Sequence, residues 1–254
     1  MKKIYRALTI VLLVFFIAFT SYFSYVKFGT DRSKNALEKV TKTIDTSKHN
    51  MNKNNIKDAK NSLDDIEFEK LKKLKEINKD VTGIINVKNT NIYYPIMKSK
   101  DNLDYLRKNI NGNYDLNGSI FLDYECNIAN SDNTIIYGHN MESDNMFSDL
   151  IKYNDRKFFD THKDINIYSD NNVYKYRVLG VYKLDVTKNN SYDFNEYVNR
   201  DGNINAENYL KNLHPYQVFY DENVKVNSDS RLLTLATCAD SKGDLRTLVV
   251  AVKE

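Results

Sequence analysis

Residues 232–238 read Leu-Leu-Thr-Leu-Ala-Thr-Cys, and residues 246–252 read Arg-Thr-Leu-Val-Val-Ala-Val. Both runs are apolar and rich in β-branched side chains, a pattern typical of buried β-strands. Because only a short polar segment separates them, we expect the two strands to be adjacent. Their pairing would bring the thiol of Cys238 and the guanidinium of Arg246 to the same rim of a sheet.

Strand-like runs continue upstream and indicate a small, mainly β domain. From residue 81 onward, short segments rich in Ile, Val, Tyr and Thr alternate with turns of Asn, Asp and Gly. The predicted strands are Gly83–Val87, Ile92–Ile96, Ser119–Leu122, Thr134–Tyr137, Ile165–Tyr168, Tyr174–Leu184, Leu232–Thr237 and Thr247–Val252. Eight strands within about 170 residues suit a closed barrel, because closure removes exposed strand edges.

Three segments between the strands have helical character: Asp101–Lys108, Met146–Tyr153 and Ala206–Leu213. The last of them lies in a long insertion from Asp185 to Ser230. A segment of that length in a compact domain is usually functional or carries structure of its own. We therefore predict a closed eight-stranded β-barrel with peripheral helices and one long, structured insertion.

The N-terminus carries the pattern of a membrane anchor. Ala7–Val26 is a stretch of 20 residues without a charge, about 30 Å long as a helix, which matches a bilayer core. Lys2, Lys3 and Arg6 precede it, so the N-terminus is expected in the cytoplasm and the remaining chain outside the cell. A cleaved signal peptide is the alternative, but Thr20–Ser24 matches a small-x-small cleavage site poorly.

These features divide the chain into four parts. Residues 1–6 are expected in the cytoplasm, 7–26 in the membrane, 27–76 in an extracellular helical stalk and 77–254 in the barrel domain. One or two amphipathic helices fit the stalk, and a coiled-coil dimerisation stalk is the alternative. The apolar positions at helical spacing are Leu37, Val40, Ile44, Ile56, Ala59, Leu63, Ile66, Leu74 and Ile77.

The charge distribution argues against a nucleic-acid-binding surface. Four of the 37 Lys and Arg residues lie in the first 30 residues, which hold no Asp or Glu. The rest of the chain therefore holds 33 basic against 34 acidic side chains, which is close to neutral. The small positive total belongs to the membrane-proximal end, so no nucleic-acid partner is expected.

Cys238 is the candidate nucleophile of a cysteine acyltransferase. A thiolate attacks carbonyl carbon readily, and the resulting thioester can be passed to a second nucleophile. The alternative for a lone cysteine is a packing role as a small buried side chain. The other cysteine, Cys126, lies in a polar, turn-like stretch, and a disulfide between the two is a further alternative outside the cell.

His139 is the candidate general acid and base. It follows the apolar run of residues 134–137 through Gly138, a placement that lets a side chain reach over the end of a sheet. His49 belongs to the stalk and His214 to the insertion. His162 stands at a helix-to-strand turn, where a structural hydrogen bond is expected.

Arg246 is the candidate for stabilising negative charge beside the sulfur. Its permanent charge and planar set of N–H donors suit an oxyanion or a substrate carbonyl. The alternative is a surface salt bridge with Asp240 or Asp244. With ordinary pKa values near 8.5 for Cys and 6.5 for His, only about 1% of molecules would hold the thiolate–imidazolium pair unless the site shifts these values.

Several other chemistries lack their residues in this sequence. No His, Cys and Asp set has metal-ligand spacing, and no Gly-rich phosphate loop precedes a helix. A G-x-S-x-G nucleophile elbow of a serine hydrolase is also missing. No cofactor and no metal are therefore expected.

The Thr234–Cys238 motif resembles the T-L-x-T-C signature of sortases, the transpeptidases of Gram-positive cell envelopes. Asp244-Leu245-Arg246 is similar to the arginine region of that family. Residues 137–141 (Tyr-Gly-His-Asn-Met), with Met146, Phe147 and Leu150, resemble the histidine region of class B, and the long insertion is also similar to class B.

The resemblance implies that Cys238 attacks the Thr carbonyl of a C-terminal sorting signal such as N-P-x-T-N or N-P-x-T-G. His139 would protonate the leaving amine and later deprotonate an amino group of a cell-wall peptide, while Arg246 would hold the substrate. The implied partners are secreted proteins with sorting signals, a peptidoglycan amine and the lipid bilayer. Substrate contacts are expected from the insertion, with Tyr192, Tyr216 and Tyr220 as candidates.

Two other functions compete with a transpeptidase. A cysteine endopeptidase would use the same residues but pass the acyl group to water. A non-enzymatic adhesin or scaffold would use the β domain only as a binding surface on a helical stalk. The preferred signal, the accepting amine and the oligomeric state do not follow from the sequence.

Overall fold

The computed structural model describes residues 2–30, 35, 38–39, 41–42, 59–140, 145–187, 192–199, 204–238 and 244–254. Several positions named above lie outside these residues: Leu37, Val40, Ile44, His49, Ile56, Met141 and Asp240.

The N-terminal helix α1 runs from Lys2 to Thr30. Its segment Ile4–Ser24 has a mean hydropathy of 2.2, and none of it is buried against the rest of the chain. By length and composition this helix can cross a bilayer. The helix expected over residues 7–26 is therefore present, within a longer helical segment.

Nine strands and three further α-helices form the folded domain within the described residues. The strands are β1 (Val81–Val87), β2 (Tyr93–Met97), β3 (Phe121–Leu122), β4 (Asn133–Gly138), β5 (Asp164–Ser169), β6 (Asn172–Asp185), β7 (Gln217–Tyr220), β8 (Leu232–Cys238) and β9 (Leu245–Lys253). The helices are α2 (Ala59–Ile77), α3 (Arg156–Thr161) and α4 (Ala206–Leu213), with 3-10 helices at Asp104–Leu106, Ser148–Asn154 and His214–Tyr216.

Eight of the strands close into a barrel in the order β5-β1-β2-β3-β4-β8-β9-β6, and the pairing of β6 with β5 completes the ring. The pairs β2–β3 and β4–β8 are parallel, so the barrel is mixed. β7 adds to β6 outside the ring. The predicted closed eight-stranded barrel is therefore confirmed, with all eight predicted strands in place.

Strand β7 is absent from the sequence-based prediction, and helix α3 was implied only by the helix-to-strand turn expected at His162. The four residues of β7 are only half buried or exposed, so they lack the apolar alternation that marks a strand. Helix α3 is only six residues long and begins at the N-cap Asp155, whose carboxylate accepts a hydrogen bond from Phe158 N at 2.9 Å.

The predicted helix Ala206–Leu213 is confirmed as α4, capped by the side chain of Asn205. The other two predicted helices are 3-10 turns rather than α-helices. Asp101–Lys108 contains only the single turn Asp104–Leu106, and the helix expected at Met146–Tyr153 runs from Ser148 to Asn154. Tight turns of this kind are usual in short connections between strands.

Helix α2 packs against the outside of the barrel. Leu71 and Leu74 are buried in one cluster with Val81, Ile84 and Met97. A polar contact reinforces this packing, because the Tyr93 hydroxyl donates to Glu67 Oε2 at 2.6 Å. The boundary predicted at residue 77 falls at the end of this helix, whose apolar face belongs to the folded domain.

Candidate functional site

Strand register brings the three predicted site residues to one end of the barrel. In the parallel pair β4–β8, Gly138 lies opposite Thr237. His139 and Cys238 directly follow these two residues, so they are neighbours at the same end of the sheet. In the antiparallel pair β8–β9, Cys238 lies directly opposite Arg246. Since neighbouring strands are about 4.8 Å apart, the Cys238 backbone has His139 on one side and Arg246 on the other.

A cleft of about 470 Å³ opens at this end of the barrel. His139, Thr237 and Arg246 all line it, so the imidazole and the guanidinium share one cavity beside the strand that ends in Cys238. The remaining lining residues are Asn102, Leu106, Phe121, Tyr137, Gly138, Val186, Tyr192, Asp193, Phe194, Asn195 and Ala236.

Gly138 sets the path of the chain into His139. A Cβ atom at this position would collide with Ile120 Cδ1 and would lie only 2.7 Å from Phe147 Cγ. The chain then folds back over this contact, because Phe147 N donates to His139 O at 2.9 Å. The glycine is therefore required by close packing beneath the histidine rather than by an unusual backbone conformation.

The imidazole of His139 is partly buried and its tautomer is defined. Nε2 lies 3.0 Å from the carbonyl oxygen of Leu106, and a carbonyl can only accept, so Nε2 carries a proton. In the neutral ring Nδ1 is then the atom with a free lone pair. Nδ1 is accordingly the atom of His139 that can take up or release a proton without breaking this hydrogen bond.

The cleft holds the pKa of His139 below its ordinary value of 6.5. Burial is the largest cause, because it disfavours the charged ring, and the cations Arg107 and Arg246 act in the same direction. The hydrogen bond to Leu106 O opposes them only in part. The imidazole is therefore mainly neutral at pH 7.

Arg246 stands near the start of β9 with its side chain partly exposed in the cleft. Nη1 lies 3.4 Å from its neighbour's carbonyl oxygen, Leu245 O. The guanidinium is a permanent positive charge beside the end of β8.

The second cysteine, Cys126, is a fully buried free thiol. Its sulfur lies 3.4 Å from Asn133 O and accepts a hydrogen bond from Ile135 N. Burial raises the pKa of this thiol to about 12. Since a thiol of this kind is almost never ionised at neutral pH, Cys126 is unsuited to nucleophilic attack.

The other described histidines lie away from the cleft. His162 stacks on Phe158 with ring centroids 3.8 Å apart, and its Nδ1 lies 2.9 Å from Phe158 O. This is the structural hydrogen bond expected from the sequence. His214 is exposed at the start of a 3-10 helix.

The long insertion forms one wall of the cleft, through residues 192–195. Of the three tyrosines proposed there, Tyr192 lines the cleft, and its backbone N–H donates to the Tyr216 hydroxyl at 3.2 Å. Tyr220 instead belongs to β7, where it pairs with Gly180. A buried contact between Tyr209 Oη and Thr234 Oγ1, 3.1 Å apart, fixes the insertion to strand β8.

Sequence reasoning missed a polar group in the cleft that centres on Asp123. The side chains of Asn102 and Tyr137 both contact the buried carboxylate of Asp123. Tyr137 is part of the histidine motif in the sequence but with no role of its own, and Asp123 is one of many turn aspartates. No local pattern indicates that the two side chains meet.

No group of three or more His, Cys, Asp or Glu side chains within the described parts of the chain is arranged to hold a metal ion. The polar lining of the cleft consists of amide, phenol, hydroxyl, imidazole and guanidinium groups and one carboxylate, Asp193. Such groups suit the recognition of a peptide backbone.

Comparisons with known proteins agree with this fold. A family model described as the sortase domain matches residues 85–254. Sortase B of Listeria monocytogenes is 38% identical over 168 residues, which make up 66% of this chain and 66% of that protein. The matched part thus spans just under two thirds of the Listeria protein.

Two solved structures extend the comparison. Clostridium perfringens sortase B is 32% identical, with 72% of this chain and 98% of that chain covered and a TM-score of 0.62. A Staphylococcus aureus sortase B–substrate complex is 29% identical, with 73% and 84% covered and a TM-score of 0.65.

The barrel fold and the match to the family model agree, and the chain belongs to the sortase family. Within that family its relatives are class B sortases, which confirms the resemblance seen in the sequence motifs.

Proposed function

We propose that this protein is a membrane-anchored class B transpeptidase that cleaves a C-terminal sorting signal and joins the protein to a cell-wall amine. The observation that carries the proposal is the arrangement of His139, Cys238 and Arg246 at the ends of three neighbouring strands, beside one cleft. A thiol, a proton carrier and a fixed cation are the groups that acyl transfer through a thioester requires.

In the first half-reaction, the Cys238 thiolate attacks the carbonyl carbon of Thr in a signal such as N-P-x-T-N or N-P-x-T-G. Arg246 stabilises the negative oxygen of the tetrahedral intermediate through its N–H donors. The C–N bond after Thr then breaks, and the imidazolium of His139 gives its proton to the departing amine. Cys238 is left bound to the Thr carbonyl as a thioester.

In the second half-reaction, an amine of a cell-wall peptide attacks the thioester carbon. Neutral His139 takes up the proton that the amine loses, and the Cys238 thiolate leaves as the new amide bond forms. Both proton transfers are assigned to Nδ1 of His139, because Nε2 remains bonded to Leu106 O. The enzyme thereby returns to the thiolate–imidazolium state in which it began.

The active ionisation state is expected to be a minor one. Since burial lowers the pKa of His139, the protonated ring is the minor form at neutral pH. Arg246 favours the Cys238 thiolate but disfavours the imidazolium, so it acts on the two groups in opposite ways. We infer that the rate depends on a small thiolate–imidazolium fraction.

Two further observations support this proposal. One structural relative is a sortase B–substrate complex, and we propose that this chain also takes a sorting-signal peptide into its cleft. Helix α1 is long and apolar enough to anchor the protein in the cell membrane, with the barrel outside the cell. That arrangement would hold the cleft beside both secreted proteins and cell-wall precursors.

The test uses the full chain in detergent with a mixture of fluorogenic N-P-x-T-N and N-P-x-T-G peptides. We expect Cys238→Ala to abolish cleavage while the circular dichroism spectrum is unchanged. The matched control is Cys126→Ala, which removes a buried thiol away from the cleft and should leave cleavage intact. Loss of cleavage only in the control would refute the assignment of the nucleophile.

Mass spectrometry with an added triglycine amine separates the competing functions. A transpeptidase yields a peptide ligated to the amine through Thr. Hydrolysed product alone would favour the cysteine endopeptidase. Absence of any cleavage or of a Cys238 acyl adduct, for every peptide in the mixture, would favour the adhesin or scaffold.

A further inference from the structure

Asp123, directly after strand β3, is a buried carboxylate that the mechanism above does not use. Its side chain is 2% exposed. Oδ2 accepts hydrogen bonds from Asn102 Nδ2 and from Tyr137 Oη, each at 2.8 Å. Oδ1 accepts from Glu125 N at 2.9 Å. All three donors are neutral groups, although burying a carboxylate without a cation is costly.

The two side chains that meet on Oδ2 both line the cleft. Asn102 precedes the 3-10 turn Asp104–Leu106, and Tyr137 lies on β4 two residues before His139. These two parts of the chain do not pair with each other as strands. Asp123 is thus a shared acceptor that fixes the relative positions of two separate lining groups.

Tyr137 connects this group to the insertion. Its Oη lies 2.6 Å from Asn195 Oδ1, and its ring lies between Phe121, with centroids 5.2 Å apart, and Phe194, at 6.4 Å. Burial first, and then the charge of Asp123, raise the pKa of the Tyr137 phenol, so the hydroxyl keeps its proton. That single proton can be donated to only one acceptor at a time.

The carboxylate is the stronger of the two acceptors. With the proton directed to Asp123, Asn195 Oδ1 no longer receives it, and the amide would have to turn its nitrogen toward Tyr137 Oη to keep a hydrogen bond. The orientation of Asp123 thus decides which groups of Asn102, Tyr137 and Asn195 remain available to a peptide in the cleft.

We propose that Asp123 is a positioning residue for the peptide substrate. It acts through Asn102 and Tyr137, aligns the hydrogen-bonding groups on one side of the cleft, and tightens binding of an extended peptide without taking part in the bond-making steps. This inference rests on the proposed function, because it assigns the alignment of the same cleft for a sorting-signal peptide.

The test variant is Asp123→Asn, which keeps the shape of the side chain. An amide has one oxygen and one NH₂ group, so it cannot accept from Glu125 N on one atom and from two donors on the other. At least one hydrogen bond is lost whichever way the amide turns. Losing one or two bonds to a charged acceptor corresponds to roughly a 10- to 100-fold change in an equilibrium constant.

We expect Asp123→Asn to raise KM for the peptide mixture at least about tenfold and to change kcat by less than about threefold. The rate of Cys238 alkylation by iodoacetamide, measured against pH, should match the wild type, since neither the thiol nor His139 is touched. Tyr137→Phe should raise KM much less in the Asp123→Asn background than in the wild type, because the two residues act through the same hydrogen bond.

Asp149→Asn is the matched control. Asp149 is also buried, at 3% exposed, but it accepts from Asn91 N in the β1–β2 turn and does not line the cleft. Its loss should lower the unfolding temperature and leave KM unchanged. A wild-type KM in Asp123→Asn, or equal KM effects of the two variants, would overturn the inference and assign Asp123 a purely structural role.

Binding separates this inference from the proposed function. Fluorescence anisotropy of the labelled peptides is measured in a Cys238→Ala background, where no turnover occurs. Binding that weakens at least about tenfold with Asp123→Asn supports the inference even if cleavage is never seen. If Asp123→Asn leaves peptide binding unchanged, only the inference is refuted. If no peptide binds at all, both the proposed function and the inference are refuted.

Discussion

Replacing Gly138 by Ala is expected to damage both the stability and the activity of this protein. The added methyl group would collide with Ile120 Cδ1 and would lie 2.7 Å from Phe147 Cγ, whereas ordinary contact begins near 3.4 Å. The Phe147 ring must therefore move by about 0.7 Å, the difference between these two distances. Both neighbours are fully or almost fully buried, so neither can move without disturbing the core.

Overpacking of this kind costs about 1–3 kcal/mol. For a folded domain of this size, that free energy corresponds to a fall of about 2–12 °C in Tm. Activity should fall further, because Phe147 N is bonded to His139 O and the shift moves the chain that carries the imidazole. A displacement on this scale is expected to reduce kcat/KM by about 10- to 100-fold.

The assay combines thermal unfolding with peptide cleavage at 20 °C below the Tm of each variant. Phe147→Leu in the Gly138→Ala background provides the control, since the smaller side chain makes room for the methyl group. We expect the double variant to lose less stability than the sum of the two single variants. A Gly138→Ala protein with wild-type Tm and kcat/KM would refute the close-packing argument.

Two further predictions follow from the site and the packing of α2. Arg107→Gln removes a cation that lowers the pKa of His139, so the pKa of His139 should rise. The acid limb of the profile of kcat/KM against pH should then move to higher pH. A limb that does not move would contradict the electrostatic account. Leu74→Ala truncates a fully buried side chain on α2 and should lower the free energy of unfolding, measured in urea, by about 2–5 kcal/mol. A decrease below about 0.5 kcal/mol would show that α2 is a separate stalk rather than part of the domain.

Most of the barrel could be predicted from the sequence because its strands are locally marked. β8 and β9 are continuous apolar runs, and such runs indicate buried strands on their own. β7 could not be found in the same way, since it is short, half exposed and stabilised by pairing with β6. The 3-10 turns were predicted as helices because both kinds of helix share the same apolar spacing over a few residues.

The candidate site was predictable only in part. His139, Cys238 and Arg246 stand at strand ends in recognisable motifs, and their roles remain a proposal that the Cys238→Ala experiment tests. The insertion was expected to contact substrate, but which of its residues line the cleft and the contact of Asp123 with Tyr137 could not be foreseen. These groups meet through the path of a long insertion and the packing of turns, which local patterns do not encode.

By itself, the sequence determined which segments form the eight strands of the barrel, where an apolar N-terminal helix lies, and which residues can supply a thiol, a proton carrier and a fixed positive charge. Tertiary structure decided which of these meet. The parallel register of β4 on β8 brings His139 beside Cys238, although roughly 100 positions separate them in the chain. The physical reason is that a strand's periodicity reports only which face is buried, whereas its partner and register depend on how the whole barrel closes.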